Sequence, residues 1–402
     1  MTKHKTEKPT IGIVLSTVPR YSETFFRNKI KGLQDNGFRV ILFVDYLTPE
    51  DSNFACKVVA SNAFNKNTFK RIWCSFLALL KSLFMHPKRS SILYTLNKKD
   101  GIPFKENMKQ VILNQFFLKE DVDWLHFGFG MLAVKRENVA AAMCAKMAVS
   151  FRGYDLYLSP LKHPGCYDLL FTKDMQYHVL SQEMKQELFR YKIPSNKIQV
   201  ITPAIDIPFF TANTSVEKKN RLELVTVARL HWKKGLVYTL EALALLKQSG
   251  IAFHYTIIGA GSEKERLVFA AYQLGILEAV TFTGKLVQNE VKKQLEQATI
   301  YLQYSIQEGF CNAVIEAQAL GLLCVVSNAE GLAENVLDGK TGWVVPKRNP
   351  VLLANKIEAI VKLSEAEKQK ISKNAISRVH KEFGLIKQQE AFVHFYSENK
   401  DT

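Results

Sequence analysis

The sequence predicts an α/β protein of two Rossmann-like, doubly wound domains, on three observations. Short apolar runs alternate with helix-patterned stretches along the whole chain, the signature of βαβ units and parallel sheets. The succession TIGIVLST (Thr10 to Thr17), a helical pattern through Phe25, Ile30 and Leu33, and FRVILFVD opens the first half. The same succession restarts at Leu222 with LELVTVAR, GLVYTLEALALLKQSG and AFHYTIIGAG, and 402 residues suffice for two domains. The expected division is a first domain at 1–205, a linker at 206–221, a second domain at 222–384, and a C-terminal helix at 385–402 that crosses back to the first.

Composition narrows the function classes. Hydrophobic residues are 47% of the chain and charged residues 23%, the proportions of an ordinary globular protein. MTKHKTEKPT at the amino end has no apolar h-region, so no secretory signal is expected, and no apolar run reaches the length of a membrane span. Six cysteines (Cys56, Cys74, Cys144, Cys166, Cys311, Cys324) form no C-x-x-C pair, which predicts free thiols in a reducing cytoplasm and no zinc site. The net charge is +16, of which residues 1 to 205 hold +13, from 30 Lys and Arg against 17 Asp and Glu. A basic domain implies a polyanionic partner or simply a solvated face. No nucleic-acid module is present, which leaves an anionic membrane surface as the partner to expect.

In the first domain Ser22 reads as the N-cap of the helix that ends at Gly37. Residues 67–89 place Phe69, Ile72, Trp73, Phe76, Leu80, Leu83 and Phe84 at helical spacing with Lys and Arg at the edges. Such a helix either lies in a membrane interface or packs in the core. Asp121 and Asp123 suggest a D-x-D metal motif, but they open a strand, whereas ligands gather at the carboxyl ends of strands, so no metal is expected there. MAVSFRGYDLY is strand then turn, with Gly153 at the bend.

In the second domain Arg229 ends a strand and Lys234 precedes Gly235 and a helix. Gly259 and Gly261 fall short of a dinucleotide fingerprint and read as a strand-to-helix turn. The stretch around which the chain is organised is EGFCNAVIE, Glu308 to Glu316, between the apolar run IYLQYS and a helix that continues through AQALG. A strand, a turn and a helix start make an anion site, because free amides and the positive helix end point into the crevice. Gly309 lets a ligand approach closely, and the amides of Phe310, Cys311 and Asn312 are candidate phosphate donors. Glu308 and Glu316 are acceptors, suited to hydroxyl groups on either side of a phosphate.

Taken in order, VARLHWKKG, IIGAGSEKERL, VTFTGKL, EGFCNAVIE and VVSNAEGLAENVLDGKTGWVVP resemble the donor-binding half of the retaining, nucleotide-sugar-dependent glycosyltransferases of family 4. The resemblance is to their branch for exopolysaccharide, capsule and lipopolysaccharide synthesis. It implies the GT-B fold, two Rossmann-like domains facing a cleft, and the transfer of a sugar from a UDP- or GDP-sugar to a growing surface glycan, either free or lipid-linked. It implies no cofactor and no metal. Arg229 and Lys234 would hold the diphosphate, Glu308 the sugar and Glu316 the ribose, with Gly284, Leu286 and Gly331 also at the donor. On the acceptor side it offers Ser22 and Glu23 of the SETFFRNKI turn, with Arg20 and Thr24 beside them, then His126, Arg152, Gly153 and Asp155. His126 has a second use as a structural histidine, and Ser22 as a plain helix cap. Two departures stand out. Arg152 occupies a place where the family often has histidine, and arginine cannot act as an acid or base near neutral pH. Glu330 replaces the first glycine of a glycine pair. Other readings left open are a non-catalytic subunit of the same fold and a transferase acting on a small soluble acceptor.

Overall fold

The computed structural model describes residues 8–19, 24–47, 54–61, 86–212 and 221–397. Their packing separates into two compact units. The first comprises the chain to Val179, Lys185–Ile201 and Gln389 onward, and the second comprises Leu180–Met184 and Thr202–Gln388.

The first unit is built on a parallel sheet of seven strands among the described residues. They are β1 (Thr10–Leu15), β2 (Arg39–Val44), β3 (Lys57–Ala60), β4 (Trp124–Phe127), β5 (Lys146–Ser150), β6 (Gln176–Val179) and β7 (Ile198–Val200), in the order β3-β2-β1-β4-β5-β6-β7. Strands such as β1 and β2 read as unbroken apolar runs because helices cover both faces, as a parallel sheet requires. The helix Thr24–Asp35 buries Phe26, Ile30 and Leu33, the positions its sequence period marks. Phe392, Phe395 and Tyr396 of the last helix, Leu385–Ser397, pack in this same core beside Ile13, Leu42 and Trp124. The segment 67–85 and residues Arg20, Ser22 and Glu23 lie outside the described residues.

The second unit has six parallel strands: β8 (Leu222–Val227), β9 (Phe253–Ile258), β10 (Val280–Gly284), β11 (Ile300–Gln303), β12 (Leu323–Ser327) and β13 (Trp343–Val345). Their order is β10-β9-β8-β11-β12-β13. The order reverses between β8 and β11, so the loops leaving these two adjacent strands diverge and open the crevice in which doubly wound sheets bind ligands.

Two boundaries differ from those expected. The chain joins the second unit at Thr202, ahead of the expected linker at 206–221, and Leu180–Met184 also belongs there. The reason is hydrogen bonding. Ile205 pairs with Gly384 and its backbone amide donates to the Phe383 carbonyl at 2.9 Å, while the Gln388 side-chain amide donates to the Thr202 carbonyl at 2.7 Å. Glu334 accepts from the Gln182 and Glu183 amides at 2.9 and 2.8 Å, capping the helix Gln182–Arg190.

Because Phe395 is 1% exposed and stacks near Trp124, Phe395→Ala should destabilise the first unit by about 3–5 kcal/mol. Urea unfolding followed by Trp fluorescence measures this, and an unchanged midpoint would remove the last helix from that core.

Candidate functional site

The carboxyl edge of the second sheet holds most of the residues singled out in the sequence. β8 ends at Val227 and runs into Arg229, which is exposed. A single turn, Trp232–Lys234, follows, and Gly235 closes it at φ 63°, in the left-handed region. A Cβ on Gly235 would stand 2.2 Å from the Tyr304 carbonyl oxygen just beyond β11. That close approach lets the Lys233 carbonyl accept from the Ile306 amide at 2.7 Å, which stitches the loop after β8 to the loop after β11. A buried polar ladder fixes the end of β11: Tyr301 donates to Gln303 at 2.8 Å and Gln303 to Ser305 at 2.9 Å.

Three carboxylates meet at this edge, in different states. Glu308 forms an ion pair with Lys234, both side chains being nearly buried. Burial alone would pull the Lys234 ammonium down; the Glu308 carboxylate beside it outweighs that, so the lysine stays charged and its pKa is raised. Glu330 bonds the Glu308 amide at 3.0 Å through one oxygen and Lys347 at 2.8 Å through the other. Its φ of 33° is left-handed, which is why a glycine suits this place and why the Glu330 carboxylate turns back onto the neighbouring loop. Glu316, one turn into the helix Asn312–Ala319, is half-buried and bonded to no protein group among the described residues. Burial raises its pKa to about 7.

The turn between Glu308 and that helix is held from below. Asn335 accepts from the Cys311 amide at 3.1 Å and donates to the Cys311 carbonyl at 2.8 Å. Arg378 in turn donates to the Glu334 and Asn335 carbonyls at 2.8 and 3.0 Å. Gly331 lies against the same turn, since a Cβ there would meet the Gly309 carbonyl at 2.0 Å. Phe310 is buried against Phe383. The amino end of the helix, at Asn312, has no side-chain cap, so it presents the partial positive charge of open amides. Gly284, at φ 76°, ends β10 on the same edge of the sheet, and Leu286 follows it half-buried.

Three expectations about this site change. The Cys311 amide is taken by Asn335, so it is not a phosphate donor. Burial pushes the Cys311 thiol up to about 11, which keeps it protonated and inert. Lys234 is neutralised by Glu308 instead of standing open. Arg229 is the cation of the pair that has no hydrogen-bond or ion-pair partner among the described residues.

In the first unit the expected acceptor-side residues are more deeply placed. His126 is fully buried, its ring bonded to Ser150 at 2.7 Å and Tyr396 at 2.6 Å, with Lys29 at 3.3 Å. Burial, then the neighbouring Lys29, hold it well below the usual histidine range, so it is a neutral core residue. Asp155 is buried and accepts from the Met131 amide at 3.3 Å, and burial lifts its pKa to about 6. It ties the turn after β4 to the helix Gly153–Tyr157 that Gly153 begins. Arg152 lies with its guanidinium 3.8 Å from the Phe25 ring centroid and 5.0 Å from that of Phe26. At the opposite, amino end of the sheet Asp123 accepts from the Thr10 amide at 2.7 Å and Asp121 pairs with Arg89, so both aspartates are structural.

Sequence reasoning missed Asn335, Lys347 and Arg378. Each acts by gripping backbone or another side chain, and none lies in a pattern that marks it.

Residues 210–378 match the family of glycosyl transferases group 1. The chain is 26% identical over 393 residues to a putative colanic acid biosynthesis glycosyltransferase, WcaL, of Escherichia coli (strain K12), covering 93% of this chain and 96% of that one. It is 29% identical over 255 residues to the amylovoran biosynthesis glycosyltransferase AmsK of Erwinia amylovora, covering 61% of this chain and 62% of the other. Among solved structures, a glycosyltransferase of Rickettsia africae ESF-5 superposes with a TM-score of 0.72 at 20% identity, over 98% of this chain and 100% of that one. Anabaena Alr3699/HepE in complex with UDP superposes with a TM-score of 0.72 at 15% identity, over 97% and 99%.

Two measurements test the site as drawn. Between its ordinary pKa of 4.5 and about 7 the unfolded chain loses the Glu316 proton while the folded chain keeps it, so stability falls as pH rises through this window. Glu316→Gln should therefore raise the stability at pH 8 by on the order of 2 kcal/mol and leave it unchanged at pH 4. Equal effects at both pH values would show that the carboxylate is not desolvated. Gly331→Ala should displace the turn at Gly309, because the new methyl meets a backbone carbonyl that no side-chain rotation can clear, and the melting temperature should fall by several degrees; an unchanged thermal scan would show that the two loops do not touch.

Proposed function

Since the chain carries a glycosyl transferases group 1 domain on the GT-B fold, we propose that it transfers a sugar from a nucleoside diphosphate sugar to a growing exopolysaccharide. The observation that carries this reading is Glu316, a half-buried carboxylate with no protein donor, one turn inside an uncapped helix start. A buried polar group without a partner is costly, and hydroxyl groups of a ribose would supply the missing donors. The helix amides would hold the diphosphate, with Arg229 on the loop after β8 as a further cation for it.

In the proposed reaction the diphosphate competes with Glu308 for Lys234. Two phosphates carry more charge than one carboxylate, so the ammonium moves to the leaving group and Glu308 is released to the sugar hydroxyls. The bond between the anomeric carbon and the phosphate oxygen breaks, and the acceptor hydroxyl bonds to that carbon on the same face, with retention. Its proton goes to an oxygen of the departing diphosphate. Arg229 and Lys234 stabilise the charge that builds there, so the scheme needs no side-chain nucleophile and no metal. The acceptor is a surface glycan under assembly, lipid-linked at the cytoplasmic face of the membrane. The names of the relatives in colanic acid and amylovoran biosynthesis and the basic first half support that choice. Among the described residues no helix is long and apolar enough to cross a membrane, so attachment would be peripheral.

Calorimetry and nucleotide release with a panel of UDP- and GDP-sugars test the reading. One donor should bind and be slowly hydrolysed without added metal. Glu316→Ala should lose affinity, whereas Glu308→Gln should lose about 100-fold in kcat. Failure of every donor to bind the wild type would leave a non-catalytic binding subunit as the better account.

A further inference from the structure

A cavity of ≈ 610 Å³ opens at the amino ends of β4, β5 and β6 in the first unit. Trp124, Lys146 and Gln176, which begin those strands, line it together with Lys173, Asp174 and Asn196. It lies at the edge of the sheet opposite the carboxyl ends, apart from all the residues discussed above as donor or acceptor candidates.

The charges in its wall do not balance. Asp174 accepts from Lys197 at 2.6 Å. Lys173 donates to Asp100 at 2.5 Å, and Asp100 also accepts from the Asn138 amide at 2.5 Å. Glu137 accepts from the Lys135 amide at 2.9 Å, and burial raises its pKa. None of these carboxylates bonds Lys146. Its Nζ is buried and has no hydrogen-bond partner among the described residues, and the Trp124 ring stands 5.9 Å away. An ammonium taken out of water into such a place is costly unless an acceptor reaches it.

We propose that this cavity binds a phosphate ester, with an anionic oxygen on Lys146 and others on the side-chain amides of Gln176 and Asn196. Phosphate suits the wall better than a carboxylate. Lys173 and Lys197 are already paired with Asp100 and Asp174, so Lys146 holds the one unanswered ammonium in this wall, and a phosphate has more acceptor oxygens than a carboxylate to share between it and the neutral amide side chains. Ala140, Ala141, Ala145 and Met147 provide an apolar wall for the carbon part of the ligand. The volume is within the range of about 300–1,000 Å³ usual for small-molecule sites. A soluble sugar or polyol phosphate and a phospholipid headgroup offer the same chemistry, so the experiment must separate them.

Thermal unfolding of the full chain with inorganic phosphate or glycerol 3-phosphate, at about ten times the dissociation constant, should raise the melting temperature by about 2–4 °C. Lys146→Met should lose that rise, yet melt no lower than the wild type without ligand, because it removes an unpaired buried ammonium. Gln176→Leu, which keeps the lysine, should weaken the effect and guards against a folding defect in the first variant. Flotation with phosphatidylglycerol vesicles, against phosphatidylcholine vesicles as control, decides the source. Binding that Lys146→Met abolishes assigns the site to a lipid headgroup; a rise in melting temperature without flotation assigns it to a soluble ester. An equal rise in wild type and Lys146→Met would place the phosphate in the donor loops of the second unit and overturn the proposal. So would the absence of both a rise and flotation.

Discussion

The backbone contact between Gly235 and Tyr304 governs the rest of the carboxyl edge of the second sheet. Where the strand order reverses, the loops after β8 and β11 leave in opposite directions, and only a close approach of backbone can bind them into one surface. A glycine at φ 63° with no Cβ permits it, and the Lys233 carbonyl then takes the Ile306 amide. Lys234 and Glu308 meet as a consequence: each is one or two residues from a stitched backbone atom, so little side-chain freedom remains to be lost when they pair. Gly331 repeats the device on the other side, bringing the loop after β12 against Gly309.

Such a surface is costly to build, and the second unit offsets the cost locally. Glu308 and Glu330 are each tied to a lysine, and the amides of Glu308 and Cys311 to side chains from the loop after β12. Each pairing removes a buried charge or a bare amide that would otherwise be penalised. It also stiffens the turn, because Asn335 is itself held through its own carbonyl by Arg378 and by Gln318. Stiffness at this level suits the proposed reaction, which would rest on positioning and electrostatics.

The two-sheet architecture was legible because parallel strands buried on both faces are mostly apolar, and the interiors of β1, β2 and β12 are runs of apolar residues. Boundaries were less so. Nothing local in Thr202–Phe210 says that its hydrogen bonds go to Phe383, Gly384 and Gln388, nearly two hundred residues away. The site shows the same split. Glu308, Glu316 and Lys234 could be placed from strand, turn and helix patterns, whereas the capture of the Cys311 amide by Asn335 depends on a side chain whose direction no pattern gives. His126 illustrates the limit from the other side: its position at a strand end suggested a ligand contact, and its burial among Ser150, Lys29 and Tyr396 follows from a helix some 270 residues downstream.

Glu330 is where the departure from the family pattern and the geometry explain each other. A glycine pair in this loop would leave the Glu308 amide open. A glutamate must adopt the same left-handed turn at some cost in strain, and its carboxylate gains an amide and the Lys347 ammonium in return. The loop after β11 is thereby anchored by a side chain where plain backbone would leave it looser. Of the three carboxylates at this edge, two spend their hydrogen bonds inside the protein and set its shape. Glu316 alone spends none, and a carboxylate that the fold desolvates without satisfying is the one whose partner must come from outside.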